Sequence, residues 1–160
     1  MMHLIKSFVF GLLGALGALV LELIISNLYF IVSGQEINLA YFEKMTFFLF
    51  AVVLIEEIFK YLMLSKLNHQ KPAGFATILF FGLGFSIIEI FSALLSNSLG
   101  QDMPYLFPFL VGIFLLHTAT SGVIGNFIFS GKNTTPLSIA KIILIASGLH
   151  LAYNLAIIYN

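Results

Sequence analysis

The sequence predicts an all-α fold, a polytopic membrane bundle of about five transmembrane helices that forms a single domain over residues 1–160. The first observation is the composition: 60% of the residues are hydrophobic, 9% are charged, and the mean hydropathy is +1.07. Soluble globular domains carry far more charge. The second observation is that the apolar residues form separate runs, each of which meets the length of about 20 residues needed to cross a hydrocarbon core.

Five apolar runs fill the chain and are joined by short polar connectors. They cover about 7–32, 45–65, 74–95, 104–130 and 137–158. The first run is too long for the apolar part of a signal peptide, so we expect it to be retained as a span. Three prolines stand close to the expected helix starts, where a fixed φ and a missing N–H favour the first turn; they are Pro72, Pro104 and Pro136.

Lysine placement predicts how the bundle is oriented. If the five runs alternate in direction, five lysines fall at one side of the membrane, namely Lys6, Lys66, Lys71, Lys132 and Lys141. The opposite side receives Lys44 with three acids, Glu36, Glu43 and Asp102. By the positive-inside rule, the N-terminus is cytoplasmic and the C-terminus is outside. Small size and the use of lysine without arginine are typical of a prokaryotic protein, so we expect the bacterial or archaeal cytoplasmic membrane.

Charge and cysteine content exclude several classes of function. The formal net charge is zero, so no basic field exists to attract nucleic acid, and the expected surroundings are the lipid bilayer and membrane-associated partners. The chain has no cysteine, which rules out disulfides, thiolate-bound zinc and thiol nucleophiles. Any chemistry must therefore use Glu, His, Ser, Asn, Lys or Tyr.

Ionisable residues occur near the middle of four apolar runs, one in each of the last four: Glu56, Glu89, His117 and His150. Such groups are costly in hydrocarbon, so they should face the bundle interior and meet one another. Glu57 follows Glu56 directly and differs from it by about 100° around a helix. We therefore expect one of these two glutamates to line the cavity and the other to meet a neighbouring helix. Four such groups at similar depth predict a functional site.

Each of these residues belongs to a short motif with a companion four positions away on the same helix face. The motifs are EEIFK (Glu56, Glu57, Lys60), FSIIE (Phe85, Glu89), HTATS (His117, Ser121) and HLAYN (His150, Asn154). In this order, over about residues 45–158, the set resembles the PrsW family of intramembrane proteases. That family is grouped with the CAAX prenyl-protein endopeptidases and the bacteriocin-immunity-type membrane proteases. Glu89 stands where the CAAX enzymes carry histidine, which is a PrsW-like feature.

The resemblance implies a glutamic-type intramembrane protease whose substrate is a membrane-anchored protein or peptide, with anti-sigma factors as the example from PrsW-like relatives. Peptide hydrolysis needs a base that activates water, an acid for the leaving amine and donors for the oxyanion. Glu56 is the candidate base, with Glu57 the other candidate. His117 and His150 could orient water or protonate the leaving group, and Asn154 could donate to the oxyanion.

The remaining motif residues have supporting or shared interpretations. Lys60 would balance the charge of Glu56 or Glu57, or form a structural ion pair with Glu57. Phe85 is interpreted as packing. Ser121 is expected to support His117 or to bond a neighbouring helix, since no Ser-His-Asp arrangement can be read from the chain. Glu89 completes the predicted catalytic set.

Alternatives remain open for the same residues. A metal-dependent version would use Glu56, Glu89, His117 and His150 as zinc ligands, although no His-Glu-x-x-His motif is present. Metal-independent chemistry without a cofactor is the favoured interpretation. Midplane Glu and His could instead form the relay of a proton-coupled carrier, although inverted repeats are lacking. A non-catalytic membrane scaffold that keeps the protease architecture is the third class.

Overall fold

The computed structural model describes residues 1–34, 46–67, 74–95, 103–131 and 135–158, and these ranges contain five helices and no strand. The helices are α1 (Met2–Ser33), α2 (Thr46–Leu67), α3 (Phe75–Leu95), α4 (Met103–Phe129) and α5 (Pro136–Ile158). The all-α fold class is confirmed, and the bounds of α2 to α5 lie within two residues of those predicted. α1 begins earlier than predicted, at Met2, and so includes the residues around Lys6.

Four of these helices are long and apolar enough to cross a membrane, namely α1, α3, α4 and α5. The second helix has 22 residues, a length close to that of α3 and α5, but it carries Glu56, Glu57 and Lys60 near its middle. The chain is thus an integral membrane protein whose second helix brings charge into the bundle. Orientation stays a prediction, because six of the residues that indicate it lie outside the described ranges, namely Glu36, Glu43, Lys44, Lys71, Asp102 and Lys132. Pro72 also lies outside these ranges.

Local signals explain where some helices begin and end. Gly34 ends α1 with φ 65°, a left-handed conformation that favours glycine, and its N–H donates to the Phe30 carbonyl oxygen at 2.9 Å. Thr135 caps α5, because its hydroxyl oxygen accepts the N–H of Ser138 at 3.2 Å. Pro136 is the first residue of that helix, as the sequence predicted.

The helices pack so that α2 is surrounded by partners. α1 packs on α2 and α3, α4 packs on α2, α3 and α5, and α5 also packs on α2. The contiguous apolar core is formed by buried side chains of all five helices, including Ala18, Leu64, Phe81, Phe85, Ile124 and Ala146. Large apolar side chains on the outer faces remain exposed, as expected for a surface that lipid covers. The charged middle of α2 therefore faces protein on several sides.

Two glycines let α1 and α3 approach at backbone distance. A Cβ atom at Gly11 would fall on the carbonyl oxygen of Phe81 and would lie 2.9 Å from the backbone nitrogen of Phe85. A Cβ atom at Gly84 would fall on the carbonyl oxygen of Phe8. Small residues commonly allow this approach between membrane helices. On each helix, the backbone of the other helix thus occupies the space that a side chain would need.

Substituting Gly11 by Ala should lower the stability of the bundle by about 1–3 kcal/mol, because the new methyl group meets backbone atoms that cannot rotate away. Gly122→Ala is the matched control, since a Cβ atom there meets nothing within 4 Å. Thermal unfolding of the purified protein in detergent would measure both variants. Equal transition temperatures for the two variants would contradict the tight packing of α1 on α3.

Candidate active site

Glu57 of α2 is the centre of a buried hydrogen-bond network. One carboxylate oxygen, Oε1, accepts a hydrogen bond from Lys60 Nζ at 2.6 Å and lies 2.8 Å from Nδ1 of His150. Lys60 also donates to the hydroxyl oxygen of Thr120 in α4 at 2.8 Å. All four side chains are fully buried. The network therefore joins α2, α4 and α5 through charged and polar groups in an apolar surrounding.

His117 of α4 is held in a similar way by a carboxylate from another helix. Its Nε2 atom contacts Oε2 of Glu89, which lies on α3. The imidazole is fully buried, whereas the Glu89 side chain is 34% exposed. The ring of Phe85 packs 5.0 Å from the imidazole, centre to centre, and Lys60 Nζ lies 4.8 Å from the centre of the same Phe85 ring. Phe85 thus packs against both His117 and Lys60, as the sequence interpretation of a packing residue expected.

Glu56, His117 and His150 form a compact group at the centre of the bundle. One potential ligand atom from each side chain lies within 4.8 Å of the others. The two imidazole rings are 5.2 Å apart and meet edge to face at 88°. Nδ1 of His150 is 3.8 Å from Oε2 of Glu56. These three side chains come from α2, α4 and α5, so the group exists only when those helices are assembled.

Three atoms of this group lack a hydrogen-bond partner among the described residues. A carboxylate oxygen only accepts hydrogen bonds, so in neutral imidazoles the proton lies on the nitrogen that faces Glu57 or Glu89. The other nitrogen then carries a lone pair: Nε2 in His150 and Nδ1 in His117. Both nitrogens are buried and lack a hydrogen-bond partner, and so does Oε2 of Glu56. Buried polar atoms are rarely left unpaired, so the geometry calls for a ligand such as water or a metal ion.

The two adjacent glutamates are distinguished by their partners. Glu57 is completely buried and holds Lys60 and His150, whereas Glu56 is 13% exposed and accepts no hydrogen bond from a described residue. The sequence left open which acid Lys60 would balance, and its direct partner is Glu57, three residues away. Oε2 of Glu57 is also unpartnered, but only Glu57 is tied to Lys60 and His150 through its other oxygen, which leaves Glu56 as the less constrained carboxylate.

Of two further predicted site residues, Ser121 lacks an expected contact, whereas the role expected of Asn154 requires a bound substrate. Ser121 is fully buried, but its hydroxyl has no hydrogen-bond partner among the described residues, so the expected support of His117 is absent. One turn of helix brings Ser121 to the same face as His117 but leaves its hydroxyl short of the ring. Asn154 is half-buried one turn beyond His150 and bonds to no described side chain.

Sequence reasoning missed three polar residues around the group. Thr120 lies within the HTATS motif, three residues after His117, and accepts the bond from Lys60. Tyr153 lies within HLAYN. Its hydroxyl lies against Gly112 of α4, so close that a Cβ atom on residue 112 would overlap the hydroxyl oxygen. Glu22 of α1 interacts electrostatically with Glu56 and Glu89. The signal for Glu22 was present, because it is the only acid in the first helix.

The fold and this site define an all-helical integral membrane protein that buries a glutamate–histidine cluster contributed by four of its helices. No family model matches the chain, and no curated protein or solved structure shows significant similarity to it.

Proposed function

We propose that this protein is an intramembrane endopeptidase that hydrolyses a peptide bond of a membrane-associated protein or peptide. The observation that carries the proposal is the group formed by Glu56, His117 and His150, whose ligand atoms lie within 4.8 Å of one another inside a membrane bundle. A carboxylate beside two imidazoles is the set of groups that activates water and transfers protons. The resemblance of the four motifs to PrsW-type proteases supports the same reaction.

In the proposed mechanism, Glu56 is the base that takes a proton from the attacking water. Its Oε2 atom is buried without a hydrogen-bond partner, and it is therefore free to accept one from water. His117 and His150 orient the water by accepting hydrogen bonds from it, and one of them relays the proton from Glu56 to the leaving amine. Glu89 and Glu57 hold the two rings through Nε2 of His117 and Nδ1 of His150. The Asn154 amide donates to the oxyanion when substrate is bound.

Glu57 and Lys60 act as positioning residues in this proposal. Their buried ion pair, with a distance of 2.6 Å, fixes the carboxylate that holds His150. Thr120 fixes Lys60 from the opposite helix. An imidazole that is fixed in ring orientation and tautomer presents the same lone pair to every substrate, which is how outer partners support catalytic groups.

A metal-dependent version of the same reaction is the second candidate, and a specific observation favours it. Nε2 of His150, Nδ1 of His117 and Oε2 of Glu56 are the donor types that bind zinc, and all three are unpartnered. Each histidine also contacts a carboxylate through its other nitrogen, an arrangement typical of metal-ligating histidines. These three residues would hold the ion, which would supply an activated water at neutral pH.

Cleavage of membrane peptides by the purified protein tests the proposal. The substrates are single-span peptides with a fluorophore and a quencher on either side of the bond, and the enzyme is wild type beside Glu56→Gln and His150→Ala. Cleavage that both variants lose and that a strong chelator does not affect is the expected result. Chelator inhibition reversed by added zinc would establish the metal-dependent version.

Equal behaviour of wild type and both variants would reject the proposal. Proton flux through the protein in liposomes, without proteolysis, would then favour a carrier. Binding of a membrane partner that is unaffected by Glu56→Gln would favour a scaffold. We further propose the prokaryotic cytoplasmic membrane as the location, on the basis of the small size and the arginine-free composition.

A further inference from the structure

Glu22 of α1 lies at the same depth as Glu56 of α2, as shown by three contacts between these helices. A Cβ atom at Gly14 would touch Met63, and one at Gly17 would fall on the Phe59 ring. Towards the other end of the pair, the rings of Tyr29 and Phe48 meet edge to face, 5.2 Å apart. Higher numbers on α1 therefore face lower numbers on α2, as in an antiparallel pair.

Interpolation between the Gly17–Phe59 and Tyr29–Phe48 contacts places Glu22 opposite Leu54 and Ile55. Glu56 is the next residue along α2, so the two carboxylates share one level of the bundle. Glu22 also belongs to the inward face of α1, because it follows the buried Ala18 by one helical turn. The first helix thus contributes a carboxyl group to the surroundings of the site.

The carboxyl group of Glu22 has no positive partner among residues 1–34, 46–67, 74–95, 103–131 and 135–158. Its Oε1 atom is buried and lacks a hydrogen-bond partner. The Ser26 hydroxyl donates to the backbone carbonyl of Glu22 at 2.8 Å and leaves the carboxyl group unbonded. Lys60, the one lysine that is fully buried in these ranges, is already held by Glu57 and Thr120.

The neighbouring groups add further carboxyl groups at this level. Glu22 interacts electrostatically with Glu56 and Glu89, and both of these are acids. The fully buried rings of His117 and His150 each carry an unpartnered nitrogen. Unpaired carboxylates are costly in a membrane interior, and they typically mark the path or binding site of a charged ligand. A cationic group that enters from outside the chain would satisfy Glu22.

We propose that Glu22 is a specificity-determining residue that binds a lysine or arginine side chain of the substrate within the membrane. The inference rests on the proposed endopeptidase function and adds the substrate class: a membrane segment with a basic residue near the scissile bond. The basic side chain would lie beside Glu22, at the level that Glu22 shares with Glu56, so that it places the adjacent peptide bond beside Glu56. A carboxylate and an ammonium or guanidinium group buried together stabilise each other.

The test compares three single-span peptides that differ at one mid-segment position, which carries lysine, its uncharged isostere norleucine, or glutamate. We expect wild type to prefer the lysine peptide, as measured by kcat/KM. In Glu22→Gln the preference for lysine over norleucine should fall by about tenfold or more, because the charged partner is lost. In Glu22→Lys the preference should move to the glutamate peptide. Asn27→Ala is the control, because its amide is exposed and bonds only within α1.

Binding of the same peptides, labelled with fluorescein, to the protein in nanodiscs gives a readout that does not depend on cleavage. Charge-selective binding that Glu22→Gln loses, in a protein that cuts nothing, would keep the role of Glu22 and reject the endopeptidase. Cleavage that needs Glu56 but shows no preference for lysine, or a preference that Glu22→Gln retains, would overturn the role of Glu22 alone. Failure of wild type to bind the lysine peptide more tightly than the norleucine peptide would overturn it as well.

Discussion

Replacing Lys60 by Met is expected to destabilise the bundle by about 3–5 kcal/mol, the usual cost of removing one partner of a buried ion pair. Lys60 and Glu57 are both fully buried and 2.6 Å apart. Without the ammonium group, the Glu57 carboxylate keeps only His150 as a partner in an apolar surrounding. Thr120 loses its bond to Lys60 in the same step. Unfolding of the purified protein in detergent, monitored by circular dichroism, gives the measurement.

Two further variants separate the loss of the pair from the loss of a side chain. Lys66→Met removes an exposed lysine in the last turn of the same helix, and its stability should stay within about 0.5 kcal/mol of wild type. The double variant Glu57→Gln, Lys60→Met removes both buried charges, and it should be more stable than Lys60→Met alone. If Lys60→Met and Lys66→Met unfold at the same temperature, the buried pair does not stabilise the fold.

Glu56→Gln should reduce cleavage by about 100- to 10,000-fold, the range that a general base contributes, while stability changes little. Glutamine matches glutamate in size but cannot take a proton from water. No described residue donates a hydrogen bond to the unpartnered Oε2 of Glu56, so the substitution breaks no bond at that atom. The measurement is kcat/KM on a peptide that wild type cuts, together with the unfolding temperature.

Glu57→Gln is the matched comparison, because it makes the same chemical change one residue further along. It removes the charge that holds Lys60 and His150, so it should lower stability and activity together. The two variants therefore distinguish a catalytic carboxylate from a positioning one. Retention of full cleavage by Glu56→Gln would remove Glu56 from the mechanism, whatever the result at position 57.

The helical architecture was largely readable from the sequence, because a span of hydrocarbon sets a minimum length and excludes unpaired backbone groups. Proline at the start of α5 and the apolar runs gave helix bounds that the structure reproduces closely. The depth argument also identified the residues that meet in space. Polar groups in the bundle interior are stabilised by contact with other polar groups, and few of these are present there. Glu56, His117 and His150 therefore come together.

The partners of each residue could not be read from the sequence. Spacing alone allows Lys60 to pair with Glu56 at four positions or with Glu57 at three, and packing against α4 and α5 decides for Glu57. Glu22 carried no motif, and its nearness to Glu56 depends on the register between α1 and α2. Ser121 shows the opposite case, since a shared helix face did not produce a bond with His117. Register and rotation arise from tertiary packing, which periodicity does not specify.

The pairing of Glu57 with Lys60 within one helix also bears on how the chain enters the membrane. An acid and a base three residues apart can neutralise each other as soon as α2 forms, before α4 and α5 have been synthesised. Charged residues near a helix centre oppose insertion, and an internal pair reduces that opposition. His150, which follows Glu57 by 93 residues, joins the carboxylate only after the last helix arrives. The second helix can thus be inserted as a nearly neutral segment and receive its histidine later.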